Sequence, residues 1–252
     1  VTTPGDLDHA KHAIRQRVWN LLERSNAAPS GVHGHIPDFA GKEQAAARLA
    51  QHDQWKNASI IKCNPDRAQL PVRVQALHAG KLLYMAVPKL ATTKPFFLLD
   101  PAALTVPFEI AVTSTGAADV APLVGPQEMR PVDLVVCGSV AIGRPDGVRI
   151  GKGAGYSDLE LALLADAGLI TGNTTIATTV HELQVVDDAL PHDKHDFSVD
   201  LAITPTRILS FTPDQPRPAG IVASKLQPEQ LETIPALAEV IRHQARTGGT
   251  PG

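Results

Sequence analysis

Residues 149–158 read Arg-Ile-Gly-Lys-Gly-Ala-Gly-Tyr-Ser-Asp. Gly151, Gly153 and Gly155 alternate through this segment, so no Cβ keeps the backbone amides around Ala154 from an approaching anion. Arg149 and Lys152 add positive charge. Residues from Tyr156 onward have the composition of a helix start, whose unpaired N–H groups and positive dipole end also favour an anion. A loop of this kind suits phosphate. Its spacing, Gly-x-Gly-x-Gly, matches neither the Walker form, since no Gly-Lys-Ser/Thr closes it, nor the dinucleotide fingerprint. Asp158 falls in the first helical turn, where a carboxylate can stabilise the dipole or hold a magnesium ion bridging phosphates, and the residues leave both uses open. Lys11 and Arg15 stand at i, i+4 near the N-terminus, a like-charge pair that costs a few tenths of a kcal/mol unless an anion or an acid answers it.

Other reactive side chains form weaker patterns. His33 and His35 flank Gly34, and His192 and His195 bracket Asp193 and Lys194. A zinc site needs about four converging ligands, and neither pair is accompanied by a His-Glu-x-x-His or paired cysteines, so these histidines are read as structural or surface residues. Cys63 and Cys137 are the two cysteines, each inside an apolar run, which predicts buried, unreactive thiols rather than a disulfide. Trp19 and Trp55 are expected in the core.

The elements that must carry the loop follow from apolar periodicity. Ile14, Val18, Leu21 and Leu22 place one apolar stripe on a helix over 8–24. Residues 41–55 read as helical, and short apolar runs at 58–63, 71–76, 81–87, 96–99 and 132–137 read as strands. Ser157, three residues before Glu160, has the spacing of a capping box, predicting a helix over 158–167 that Gly168 ends. Strand-like runs follow at 173–186 and 198–204, and Pro213, Pro216 and Pro218 mark a linker. This alternation predicts a three-layer α/β domain over 1–210, its mostly parallel sheet flanked by helices, with the glycine loop at the carboxyl end of the 132–137 strand. Residues 211–252 form a linker and a C-terminal helical extension, helical over 227–246, with Pro235 tolerable only at a helix start or kink.

With 252 residues, 43% hydrophobic, the chain is long enough for one substantial core. A net charge of -3, from 23 basic and 26 acidic residues, gives no electrostatic ground for a nucleic-acid partner. The expected partner is a small molecule. No apolar stretch reaches the roughly 18 residues of a membrane span and no signal-peptide pattern opens the chain, so a cytoplasmic protein is expected.

Taken together, Lys11 and Arg15, Asp133 to Val136, the 147–158 loop, and then Gln184, Pro191, His195-Asp196, Val199-Asp200 and Thr204 resemble 5-formyltetrahydrofolate cyclo-ligase, also called methenyltetrahydrofolate synthetase, over most of residues 10–205. That resemblance implies ATP and magnesium driving closure of 5-formyltetrahydrofolate to 5,10-methenyltetrahydrofolate. It implies that Lys11, Arg15, Arg149 and the backbone of 151–155 hold the triphosphate, that Lys152 and Arg149 serve the transfer, that Asp158 approaches magnesium, and that Tyr156 faces the nucleotide or the pterin. Replacing Lys152 or Arg149 with alanine is then expected to weaken ATP binding while leaving the stability of the free protein unchanged.

Two departures stand out. Cyclo-ligases carry two tyrosines before the aspartate, whereas here the second position is Ser157, and Asn64 to Arg73 occupies the place of their acidic-threonine signature. Those departures, with Lys11 to Leu22, His35 to Phe39, Lys62 to Arg73, and Gly220-Ile221 through Ile234 to Leu237, resemble the paralogue branch that includes the methenyltetrahydrofolate synthetase domain-containing proteins. That likeness implies an altered substrate, such as a thiamine-related heterocycle, or a nucleotide-binding regulator without catalysis.

Overall fold

A computed structural model describes residues 4–193, 196–212, 220–221, 226, 228–238 and 240–241. His195, the prolines at 213, 216 and 218, and residues 242–246 of the expected C-terminal helix lie outside the described residues.

Eight strands form the main sheet in the order β11-β10-β8-β5-β1-β2-β3-β4. They are β1 (Ile60–Cys63), β2 (Leu82–Ala86), β3 (Phe96–Leu99), β4 (Leu123–Val124), β5 (Leu134–Cys137), β8 (Thr175–Thr179), β10 (Leu201–Ile203) and β11 (Ile208–Ser210). The five central strands, β10, β8, β5, β1 and β2, run parallel, and the edges are antiparallel. Strands buried on both faces read as continuous apolar runs, as Leu134–Cys137 does, while Ile60–Cys63 is interrupted only by the buried Lys62.

Helices α1 (Pro4–Arg24), α2 (Lys42–Ala50), α3 (Asp53–Asn57), α4 (Leu70–His78), α5 (Phe108–Ala111), α6 (Ser114–Val120), α7 (Tyr156–Asp166) and α8 (Pro228–Thr233) surround the sheets. One face of the main sheet offers Ile61, Cys63, Leu134 and Val136 to Leu49, Trp55, Val72 and Leu77. The opposite face offers Ile60, Val135 and Ile176 to Leu161 and Leu164 of α7, and the same cluster takes in Ile221, Ile234, Ala236 and Leu237. The expected three-layer α/β arrangement, a mostly parallel sheet flanked by helices, is present. Described residues 235–238 are helical and begin at Pro235, where the missing N–H costs nothing. Both tryptophans and both cysteines are buried, and the cysteines are free. Among the described residues no helix is long and apolar enough to cross a membrane.

Three local expectations are corrected. Residues 71–76 lie in helix α4, not in a strand. The short apolar run suggested a strand, but Val72 and Ala76, one turn apart, are both fully buried and define the helical face. A second sheet, β7-β6-β9, also intervenes: β6 (Ala141–Gly143), β7 (Arg149–Ile150) and β9 (Val185–Val186). The glycine loop therefore leaves a hairpin of this small sheet, which packs on Val18, Trp19 and Leu22 of α1 through Val140, Ala141 and Ile150. Finally, Ser157 does not cap α7. The N-cap is Gly155, at φ 70, so Ser157 lies inside the first turn and Glu160 faces the interior. The helix stop is as expected, with Gly168 at φ 69 and the Leu169 N–H bonded to the Leu164 carbonyl at 2.9 Å.

Candidate functional site

The carboxyl ends of β1 and β2 and the start of α7 enclose a cavity of about 600 Å³. Lys11, Arg15, Arg149, Gly151, Lys152, Gly153, Ala154, Gly155, Tyr156 and Asp158 all line it, together with Asn64, Asp66, Ser157 and Asp196. Helix α1 is tied to the loop directly, because Arg15 donates its Nε–H to the Gly151 carbonyl at 2.8 Å. Gly153 stands at φ 105, where a Cβ would also meet the Arg15 guanidinium at 3.4 Å. Burial holds the Arg15 pKa below its ordinary value, against the pull of Asp8, Asp196 and Asp158. Lys11 is answered by Asp196, its ammonium 2.7 and 2.5 Å from the two carboxylate oxygens. The like-charge pair on α1 thus has separate partners, an acid and a carbonyl.

Arg149 does more than add charge beside the glycines. It is 5% exposed, donates Nε–H and Nη2–H to the Gly138 carbonyl at 2.9 and 2.7 Å, and stacks over the Phe197 ring at 4.7 Å. Lys152 is exposed. Unchanged stability of the free protein is therefore still expected of Lys152→Ala but no longer of Arg149→Ala, since removing Arg149 strips a buried carbonyl of two donors.

Asp158 has 39% of its side chain open, and that surface faces a cavity walled by protein; its Oδ1 lies 3.6 Å from Arg149 Nη1. Desolvation raises its pKa, opposed by Arg149 and Lys11 and reinforced by Asp196. A carboxylate in this setting gains from a cation or from protonation.

A profile of the 5-formyltetrahydrofolate cyclo-ligase family matches residues 8–205. The chain belongs to that family. It is 38% identical over 245 residues to a methenyltetrahydrofolate synthase domain-containing protein of Bos taurus and 38% over 244 residues to that of Mus musculus, in each case across 95% of this chain. It spans 64% and 65% of those two relatives. The solved structure of Aquifex aeolicus 5,10-methenyltetrahydrofolate synthetase has the same fold, with a TM-score of 0.53 at 20% identity over 82% of this chain and 95% of that one.

Sequence reasoning missed the floor beneath the loop of this cyclo-ligase family member. Lys62, fully buried in β1, pairs with Glu160 of α7, itself 4% exposed, and donates to Asn64 Oδ1 at 2.6 Å. The Asn64 amide donates to Ser157 Oγ at 2.7 Å. On the other face of the sheet Arg73, 2% exposed, donates to the carbonyls of Asn64, Asp66, Pro65 and Val112 and so shapes the 64–66 turn. A lysine within Ile-Ile-Lys-Cys was the available signal, since a charge inside a buried strand demands a partner. Lys89 and Leu90, at φ 58 and 53, hold left-handed backbone at the turn after β2, and Lys89 lines the cavity.

Proposed function

We propose that the chain is an ATP- and magnesium-dependent cyclo-ligase-like enzyme, with closure of 5-formyltetrahydrofolate to 5,10-methenyltetrahydrofolate as its first candidate reaction. What supports this reading is one cavity lined by a glycine loop, a helix N-terminus, five cations (Lys11, Arg15, Lys89, Arg149 and Lys152) and the Asp158 carboxylate. Phosphoryl transfer asks mainly for positioning and for neutralisation of spread negative charge, and these residues supply both. In this reading the 151–155 amides, Lys11 and Arg15 bind the triphosphate, while Lys152 and the edge of Arg149 neutralise the group in transfer. Asp158 fits a magnesium site, being a desolvated carboxylate beside the loop, and the ion would supply charge neutralisation between phosphates. The formyl oxygen of the substrate takes the γ-phosphoryl group as ADP leaves; the neighbouring nitrogen then attacks the formyl carbon, and phosphate departs.

A second reading has its own observation. Tyr156 is the one aromatic residue among those described around the cavity, and Ser157 stands where the family carries a second tyrosine. This favours a paralogue acting on a thiamine-related or other heterocycle, or a nucleotide-binding regulator without turnover.

The test is methenyltetrahydrofolate formation, followed by absorbance, with purified protein, ATP, magnesium and 5-formyltetrahydrofolate. ATP-dependent turnover is expected. No turnover in protein that ATP stabilises against heat would favour the second reading, and no stabilisation would remove the nucleotide assignment as well.

A further inference from the structure

The buried polar floor has an orientation that chemistry alone decides. A lysine ammonium only donates, so the Asn64 atom facing Lys62 must be the amide oxygen. Glu160 balances the Lys62 charge and holds it in the interior. With its oxygen committed, Asn64 presents its NH2 to Ser157, whose Oγ must accept. The Ser157 hydroxyl proton then has to go elsewhere, and among the described residues no acceptor receives it. Ser157 is half-buried and lines the cavity.

We propose that Ser157 is a specificity-determining donor, set by the Glu160–Lys62–Asn64 chain to give its proton to an acceptor oxygen of a bound ligand. Lys62, Glu160 and Asn64 are positioning residues, since they act through Ser157. The acceptor is a phosphoryl or carbonyl oxygen, belonging to the nucleotide or to the second substrate. The identity of the ligand rests on the proposed function, whereas the direction of the proton rests only on the donor and acceptor count. A serine here is therefore a different recognition device from an aromatic ring, because it selects for an oxygen at one point rather than for a flat surface.

The test measures binding of a non-hydrolysable ATP analogue with magnesium, and separately of 5-formyltetrahydrofolate, by calorimetry. Ser157→Ala is expected to weaken one of them about tenfold, the ratio that loss of a roughly 1.4 kcal/mol hydrogen bond produces, and the affected probe names the source of the oxygen. Ser157→Thr, which keeps the hydroxyl, restores affinity. Lys62→Met/Glu160→Met removes both charges together and reproduces the Ser157→Ala loss, its folding verified by a cooperative melt. Wild-type affinity for both probes in Ser157→Ala overturns the proposal, and wild-type affinity in the double variant overturns the positioning role of the chain. If the unaltered protein binds neither probe, the proposed function fails and a crystal structure of the free protein decides separately. A cavity water accepting from Ser157 Oγ supports the inference, whereas a hydroxyl turned to the Gly153 carbonyl ends it.

Discussion

Lys62 and Arg73 are two buried cations that act on the same short turn from opposite faces of the sheet, and they are satisfied in different ways. Arg73 forms no ion pair among the described residues; its guanidinium is spent on four backbone carbonyls, Asn64, Pro65, Asp66 and Val112. Lys62 has a carboxylate, Glu160, and one side-chain oxygen, Asn64 Oδ1. A planar fork with five donors can hold a backbone shape, whereas a compact ammonium holds charge balance and the rotation of one amide. Burial lowers the Arg73 pKa, and the adjacent Cys63 thiol is pushed up to about 11, mainly by burial and despite both cations. That keeps the thiol protonated and inert. The turn that forms one wall of the cavity thus has its backbone set from one side and its polar side chain set from the other.

The largest expected effect would break this comparison if it failed. Lys62→Met leaves Glu160 charged and unpaired in the interior and is expected to cost about 4 kcal/mol, with most of that loss repaired when Glu160→Met is added. Arg73→Met strands carbonyls that no second substitution can remove, so its comparable loss is expected to have no such partner. Urea denaturation of the three proteins measures this, and a failure of Glu160→Met to rescue Lys62→Met would mean that the pair is not what holds Lys62.

Arg149 sharpens the contrast, since like Arg73 it donates to backbone, but it places two donors on the single Gly138 carbonyl and lines the cavity. Arg149→Ala is expected to lose about 2 kcal/mol of stability in the free protein, and Lys152→Ala none, while Lys152→Ala weakens ATP binding by about 1–3 kcal/mol. Equal melting temperatures for the two variants would reject the structural role of Arg149.

The smallest effect compares two enclosed acids. Glu160 has Lys62 hard against it, whereas Asp158 has Arg149 no nearer than 3.6 Å and a weaker pull from Lys11. Because the folded pKa of Asp158 is raised above its ordinary 3.8, ionisation above that value costs the folded state and protonation below it costs nothing. Asp158→Asn is accordingly expected to raise the urea midpoint at pH 7, a gain that vanishes as the pH falls through the folded pKa towards 3.8. A gain equal at both ends of that range would trace the effect to something other than the charge.

Much of this was legible along the chain. Continuous apolar runs announced the buried parallel strands, the alternating glycines announced the loop, and Gly168 announced the end of α7, because each depends on contacts within a few residues. The α4 segment was misread because a short apolar run by itself does not tell a buried strand from a buried helix turn, a distinction that only burial reveals. The capping box was misread because Ser157 and Glu160 have its spacing but look inward, Ser157 to Asn64 in the turn after β1 and Glu160 to Lys62 on β1.

By itself the sequence determined the fold class, the family and the glycine loop with its flanking charges, since these rest on local pattern and on motif order, but not Asn64, Lys89 and Glu160, which line the same cavity. Tertiary structure alone decided what each charge faces. Asp196 against Lys11, the Gly138 carbonyl under Arg149 and Lys62 against Glu160 join residues 185, 11 and 98 positions apart. No local rule ranks such pairs, because the free energy of a buried charge depends on the dielectric and the partner that folding brings to it.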